Sequence, residues 1–194
     1  MVCTVEKISE QYLIPVLEVL LNTFPFVILN FHSDNGSEYI NQHVLKLLTK
    51  LHVELTKSRP RRSNDNALAE TKNGSIIRKA LGYMHIPQYF AEPVNEFNQQ
   101  HLTPYINFHR PCFYPTIKID AKGKERKKYE YKTMMTPYEK LKSIKDAATY
   151  LREGVTFEEL DKIANQVSDN EAARNMQRAK NKLYNIIHAE NKVV

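Results

Sequence analysis

The sequence predicts an α/β fold, followed by a basic β-hairpin and C-terminal helices. Two observations predict this fold class. Segments with helical spacing alternate with short β-branched runs up to about residue 112, and a lysine-rich stretch with a central turn follows them. We therefore divide the 194 residues into two predicted domains, 1–112 and 113–194. The composition is that of a globular protein, because 42% of the residues are hydrophobic and 26% are charged.

The first domain is predicted to begin with a helix and a buried strand. Leu13, Leu17 and Leu20 recur at helical spacing, which predicts a helix that ends near residue 23. Residues 26–31 are β-branched and aromatic, which is typical of a buried strand, and Ser33 opens a run of turn formers. The remaining elements are predicted as a helix at 44–51, a strand at 53–56, a loop at 57–66 and helices at 67–81 and 91–102.

The second domain is predicted to contain a hairpin and two capped helices. The pattern of residues 116–132 is typical of a β-hairpin, and its turn is predicted at 120–123. Thr156 with Glu159, and Ser168 with Glu171, have the spacing of capping boxes, and each pair predicts a helix start. The hairpin also holds seven cations, against three carboxylates. These cations are Lys118, Lys122, Lys124, Arg126, Lys127, Lys128 and Lys132.

The charge of the chain is positive and unevenly distributed. The formal net charge is +6. Residues 1–112 hold 11 basic and 10 acidic side chains, whereas residues 113–194 hold 17 and 12. The balance favours a polyanionic partner without proving one, and most of the excess lies in the second domain.

Two protein classes are excluded by the sequence pattern. The longest apolar run, residues 24–31, is too short to cross a bilayer, so no membrane partner is expected. Glu6 and Lys7 interrupt the region where a secretory signal needs an unbroken apolar stretch. Cys3 and Cys112 are too few for a disulfide framework, and we expect reduced thiols in a cytoplasmic protein.

Asp34 and Glu70 are candidate metal ligands. Asp34 follows a predicted strand at its C-terminal end, where open α/β sheets bind ligands. Glu70 shares a helical stripe with Ile77 and Leu81, so its carboxylate needs a partner such as Mg²⁺ or Mn²⁺. Alternatively, Asp34 is only a turn residue, and Glu70 is only an acid that favours a helix N-terminus. The spacing alone does not decide between these interpretations.

Four short motifs then follow one another in a specific order. Residues 33–39 read Ser-Asp-Asn-Gly-Ser-Glu-Tyr, and residues 66–70 read Asn-Ala-Leu-Ala-Glu. Residues 105–111 read Tyr-Ile-Asn-Phe-His-Arg-Pro, and residues 136–139 read Thr-Pro-Tyr-Glu. With 35 residues between Asp34 and Glu70, this order resembles retroviral-type integrases, and most closely the insertion-sequence transposases that share their catalytic core. The resemblance covers residues 5–142.

The resemblance implies a fold and a reaction. The fold is a partial ribonuclease H-like core, whose complete form is a five-stranded mixed sheet with helices on both faces. Asp34 and Glu70 would bind Mg²⁺ (or Mn²⁺) with a third acid, for phosphodiester hydrolysis and strand transfer. Residues 1–33 contain no Asp, so we expect the opening strands and the first catalytic Asp to be missing. The chain alone is then expected to be inactive.

The resemblance also implies partners, which are DNA (element ends and target) and full-length transposase subunits in a homo-oligomer. An alternative to the enzyme is a non-catalytic fragment that binds DNA or oligomerises. The residues implied to approach DNA could equally be a solvated loop and helix face. They are Lys57, Arg59, Arg61, Arg62, Lys72, Asn73, Arg78 and Lys79.

Histidines and cysteines suggest a weaker hypothesis, a zinc site. The spacings of His85, His101, His109 and Cys112 match no common zinc pattern. We therefore expect His109 to pack or to form a hydrogen bond within the turn of the third motif.

Overall fold

The fold is that of a computed structural model, which describes residues 1–33, 42–50, 53–57 and 73–190. The chain divides into two compact units. The first unit contains residues 1–99 and 183–194, and the second unit contains residues 100–182.

The first unit begins with a helix, a strand, a helix and a strand. These are α1 (Glu10–Thr23), β1 (Asn30–Ser33), α2 (Gln42–Lys50) and β2 (Glu54–Lys57). Strands β1 and β2 pair in parallel, with Ser33 opposite Lys57. The core beneath them consists of Leu17, Val44, Leu48 and Val53, each at most 7% exposed. The order of these four elements agrees with the prediction from sequence.

The other elements that the structure describes in the first unit are helical. A π-helical segment (Asn73–Arg78) continues into α3 (Lys79–Leu81), and a 3₁₀ turn (Gln88–Phe90) leads into α4 (Ala91–Phe97). The apolar positions Val94, Phe97 and Leu102 of the predicted helix 91–102 are all buried, as expected. The final helix, α7 (Asp169–Glu190), ends in this unit, where Leu183 and Ile187 are buried and the Tyr184 hydroxyl donates to the Leu81 carbonyl oxygen.

The second unit contains one hairpin and several short helices. A π-helical segment (Asn98–Leu102) begins at the end of the first unit, and a second one (Tyr105–His109) precedes strands β3 (Thr116–Ile119) and β4 (Glu125–Lys128). After the hairpin come a 3₁₀ turn at Tyr131–Thr133, α5 (Pro137–Lys142), a 3₁₀ turn at Ala147–Tyr150, α6 (Phe157–Ala164) and the first part of α7.

Helix α5 begins at a capping box that uses the fourth motif. The Glu139 N–H donates to Thr136 Oγ1 at 3.1 Å, and the Thr136 N–H donates to Glu139 Oε2 at 2.7 Å. Pro137 occupies the first helical position, where its missing N–H costs no hydrogen bond. The Thr-Pro-Tyr-Glu sequence is therefore explained locally as a helix start.

The two predicted helix starts in the second domain are also observed. The Glu159 N–H donates to Thr156 Oγ1 at 3.3 Å, and the Thr156 N–H donates back to Glu159 Oε2 at 3.1 Å. At α7 the Glu171 N–H donates to Ser168 Oγ at 3.3 Å.

The predicted α/β fold with a partial ribonuclease H-like core is wrong. Over the ranges that the structure describes, the chain is mainly helical and has two sheets of two strands each, β1–β2 and β3–β4. The five-stranded sheet of that fold is not found there. The strand predicted at 26–31 begins at Asn30 instead, and Val27 and Leu29 are 45% and 62% exposed rather than buried. An apolar β-branched run predicts burial only where further strands or helices cover it.

Candidate nucleic-acid interface

The carboxyl ends of β1 and β2 lie at one edge of the parallel pair. Ser33 and Lys57 are register partners, so the chain leaves both strands at the same edge. The motif that begins at Ser33 and the basic stretch that begins at Lys57 both start there. Several of the predicted site residues lie outside the described residues, so their roles remain predictions. These are Asp34, Arg59, Arg61, Arg62, Glu70 and Lys72.

Three of the predicted DNA-binding residues follow on the next helical segment. Asn73 is its first residue, and Arg78 and Lys79 are exposed. The Arg78 guanidinium lies 5.5 Å from the ring centroid of Tyr83, which is 85% exposed. This places two cations and an aromatic ring on the surface of the first unit.

The acids that precede Asp34 lie in or just before a helix and not on a described strand. Glu10 and Glu18 are in α1, and Glu6 precedes that helix. Within the described ranges, no three His, Cys, Asp or Glu side chains group closely enough to hold a metal ion. Asp34 and Glu70 lie outside the described residues, so the predicted Mg²⁺ or Mn²⁺ site remains a prediction.

The hairpin carries the densest positive charge that the structure describes. Partners in an antiparallel pair point to the same face, so Lys118, Arg126 and Lys128 lie on one face together with Thr116. Ile117 and Ile119 lie on the other face and are 63% and 73% exposed. Both strands are exposed along almost their whole length, so the cations face solvent.

The turn of the hairpin is organised around Asp120. Its carboxylate Oδ1 accepts the backbone N–H groups of Lys122 (2.9 Å) and Lys124 (3.0 Å), and Oδ2 accepts Arg126 Nε at 3.1 Å. Gly123 supplies the positive φ of 73° that a short hairpin loop needs. The predicted turn at 120–123 is confirmed.

Two carboxylates, Asp120 and Glu130, pair with three of the seven hairpin cations. The Lys124 N–H, then Arg126 and the Lys122 N–H, lower the pKa of Asp120. The Lys128 ammonium lies 2.7 Å from the Glu130 carboxylate. This contact lowers the pKa of Glu130 and raises the pKa of Lys128. Lys132 lies 3.8 Å from the other oxygen of Glu130, so one carboxylate gathers two cations.

The turn should loosen in acid at a pH below the ordinary Asp range. Because the folded-state pKa of Asp120 is lowered, its ionised form stabilises the turn above the unfolded-state value of about 3.9. This contribution is lost as the pH falls through the folded-state pKa. We expect the NMR amide shifts of Lys122 and Lys124 to titrate together with a midpoint below that of a model Asp. Asp120→Asn should abolish this titration, and an unchanged profile would contradict the assignment.

Aromatic side chains surround the hairpin and were missed by the sequence reasoning. Tyr129 and Tyr131 follow β4 and are 56% and 84% exposed. The ring of Phe113, 43% exposed, meets that of Tyr131 edge to face, with 5.2 Å between the centroids. The signal was present in residues 127–132, where tyrosines alternate with lysines and a glutamate.

A separate polar cluster stabilises the helices of the second unit. The Tyr138 hydroxyl donates to Asp161 Oδ1 at 2.7 Å, and Lys142 Nζ donates to both oxygens of Asp161 at 2.7 and 2.6 Å. Lys142 and then Tyr138 lower the pKa of Asp161, whereas burial and Asp161 raise the pKa of Tyr138. These contacts join α5 to α6.

His109 has a structural contact, but its partner is a distant residue and not one within the turn of the third motif. His109 is 5% exposed, and its Nδ1 lies 3.1 Å from Asp169 Oδ1 at the start of α7. Cys112 is a free thiol whose backbone pairs with that of Met135. The third motif therefore contributes to the packing of the second unit.

Comparison with known proteins adds one similarity of short extent. No model of a protein family matches the chain. Over 70 residues the chain is 37% identical to the "Uncharacterized protein y4rM" of Sinorhizobium fredii (strain NBRC 101917 / NGR234). The match covers 36% of this chain and 20% of that protein, so the chain spans about a fifth of its relative. In the described ranges, no helix has the length and hydropathy needed to cross a membrane.

Proposed function

We propose that this chain is a DNA-binding protein of the transposase and integrase type, and that its basic hairpin binds the DNA backbone. The observation that carries the proposal is the exposed ribbon of seven cations and three carboxylates, which leaves an excess of four positive charges in 17 residues. A polyanion is the complementary partner of such a surface.

The ion pairs of the hairpin do not prevent phosphate binding. Both Arg126 and Lys128 are more than half exposed in their pairs with Asp120 and Glu130. Exposed ion pairs contribute little free energy, so a phosphate oxygen can take over a cation from its carboxylate. Lys122, Lys124 and Lys127 have no side-chain ion pair with the described residues and are available directly.

The order of the four motifs supports the transposase and integrase type. Two of the motifs have structural roles in the second unit, through Thr136 and His109. The other two begin at Ser33 and at residue 66, and the residues that would carry chemistry lie beyond the described ranges. The support for this type is therefore the sequence order. Association with full-length transposase subunits and a cytoplasmic location belong to the same proposal.

Metal-dependent strand transfer is the second candidate function, and the motif order favours it. A DNA-cleavage assay of the purified protein with Mg²⁺ or Mn²⁺ distinguishes the two candidate functions. Salt-sensitive binding without cleavage supports the binding protein. If the chain cleaves DNA and Asp34→Asn abolishes the cleavage, the chain is an enzyme and not only a DNA-binding protein.

The binding itself is tested by removing the three cations that have no ion pair. Replacing Lys122, Lys124 and Lys127 with Gln should weaken DNA binding at every sequence. It should also flatten the slope of log K against log salt by about 2.7, because each phosphate contact contributes about 0.9. Fluorescence anisotropy at several salt concentrations measures both.

A matched control removes the same charge elsewhere. Lys46, Lys145 and Lys162 are exposed on other elements, and their replacement by Gln should leave the salt slope close to that of the unmodified chain. Equal losses in both triple variants would show that only net charge matters. A binding constant that does not depend on salt would overturn the proposal.

A further inference from the structure

We infer that the hairpin binds single-stranded DNA in preference to duplex, by stacking unpaired bases on Tyr129 and Tyr131 while neighbouring lysines hold the phosphates. This inference rests on the proposed function, DNA binding, and specifies which form of DNA is bound. A ring that is 84% exposed buries almost none of its apolar area in the folded chain. Exposed aromatic rings beside cations are the combination that binds single strands.

The rings and the cations are held next to each other by the same short segment. Glu130 lies between Tyr129 and Tyr131 in sequence, and its carboxylate contacts both Lys128 and Lys132. Lys128 and Lys132 are the sequence neighbours of Tyr129 and Tyr131, so the cations and the rings belong to one short exposed segment. Phe113 supports Tyr131 from the side by its edge-to-face contact at 5.2 Å, which leaves the Tyr131 ring in solvent.

The chemistry of this surface distinguishes single strands from duplex. In a duplex the bases are stacked on each other, so only phosphates and groove edges are available to the hairpin. In a single strand the bases are free to stack on tyrosine rings, and any base has a face for this contact. The lysines alone would bind both forms, so the rings provide the preference.

Substitution of the rings tests the inference with an oligo-dT strand and a duplex of equal length. Tyr131→Ala should weaken binding to oligo-dT roughly tenfold and leave duplex binding and the salt slope unchanged. Tyr131→Phe keeps the ring and should restore binding to oligo-dT. Tyr129→Ala should also weaken binding to oligo-dT. Tyr89→Ala is its control, because Tyr89 and Tyr129 are 54% and 56% exposed, and Tyr89→Ala should have no effect.

The outcomes separate this inference from the proposed function. Equal binding of both forms that is lost only in the lysine variants overturns the inference and leaves the proposed function intact. The absence of salt-sensitive binding to either form overturns both. Tighter binding of oligo-rU than of oligo-dT overturns the assignment to DNA. If Tyr131→Ala dissociates a self-associated form and leaves oligo-dT binding unchanged, the surface binds a second copy and the inference is wrong.

Discussion

Leu48→Ala is expected to lower the free energy of unfolding of the first unit by about 2–5 kcal/mol. Leu48 is fully buried between α1, α2 and β2, in a cluster with Leu17, Val44 and Val53. Truncation removes apolar contacts and leaves a cavity that this small core can fill only in part. The Leu48 carbonyl also accepts the Val53 N–H at 2.9 Å, so its position affects the start of β2.

Leu45→Ala is the matched control for this prediction. Leu45 lies on the same helix and is 49% exposed, so its truncation should cost well under half as much. Urea denaturation followed by circular dichroism measures the total stability, and hydrogen exchange within 42–50 assigns the loss to the first unit. Equal effects of the two substitutions would show that Leu48 is not a core residue.

Asn98→Leu is expected to stabilise the chain by about 1–3 kcal/mol. Asn98 is 0% exposed, and neither its side-chain oxygen nor its side-chain nitrogen has a hydrogen-bond partner among the described residues. Each buried polar atom without a partner costs free energy, and Leu keeps the branched shape and heavy-atom count of Asn without polar atoms, although its volume is larger. Thermal unfolding should therefore move to higher temperature.

Asn95→Leu, three residues earlier in α4, is expected to have the opposite effect. The Asn95 side chain accepts the Thr4 N–H at 2.6 Å and donates to the Thr4 carbonyl at 2.8 Å. Its replacement leaves both Thr4 groups without this partner, so stability should fall. If Asn98→Leu also lowers the unfolding temperature, the buried amide contributes a contact that the structure does not describe.

Local structure was predictable wherever it depends on neighbouring residues. The helix start at Thr156, the turn around Asp120 and the burial of Val94 were all expected. Capping boxes and turns are formed by residues within about four positions of each other, so their spacing is visible in the sequence. The cations of the hairpin were visible in the same way because they are close together in the chain, whereas the predicted site residues Asp34 and Glu70 lie outside the described residues.

The sheet and the exposed aromatic surface were not predictable in this way. Residues 26–31 have the composition of a buried strand, yet whether other strands cover them depends on distant parts of the chain. Tyr129 and Tyr131 could have packed into a core, and only the tertiary structure leaves them in solvent. The resemblance to integrases predicted the wrong fold for the described residues, because short motifs do not determine how elements pair.

The sequence by itself determined the positive charge, the helix caps and the cationic hairpin of this protein. Those properties depend on composition and on contacts between near neighbours in the chain. The tertiary structure alone decided which apolar residues form the core around Leu48. It also decided that, among the described residues, β1 and β2 form a sheet of two strands. Finally, it decided that the hairpin presents rings as well as cations. The physical reason is that burial is set by contacts between residues far apart in sequence, which local patterns do not record.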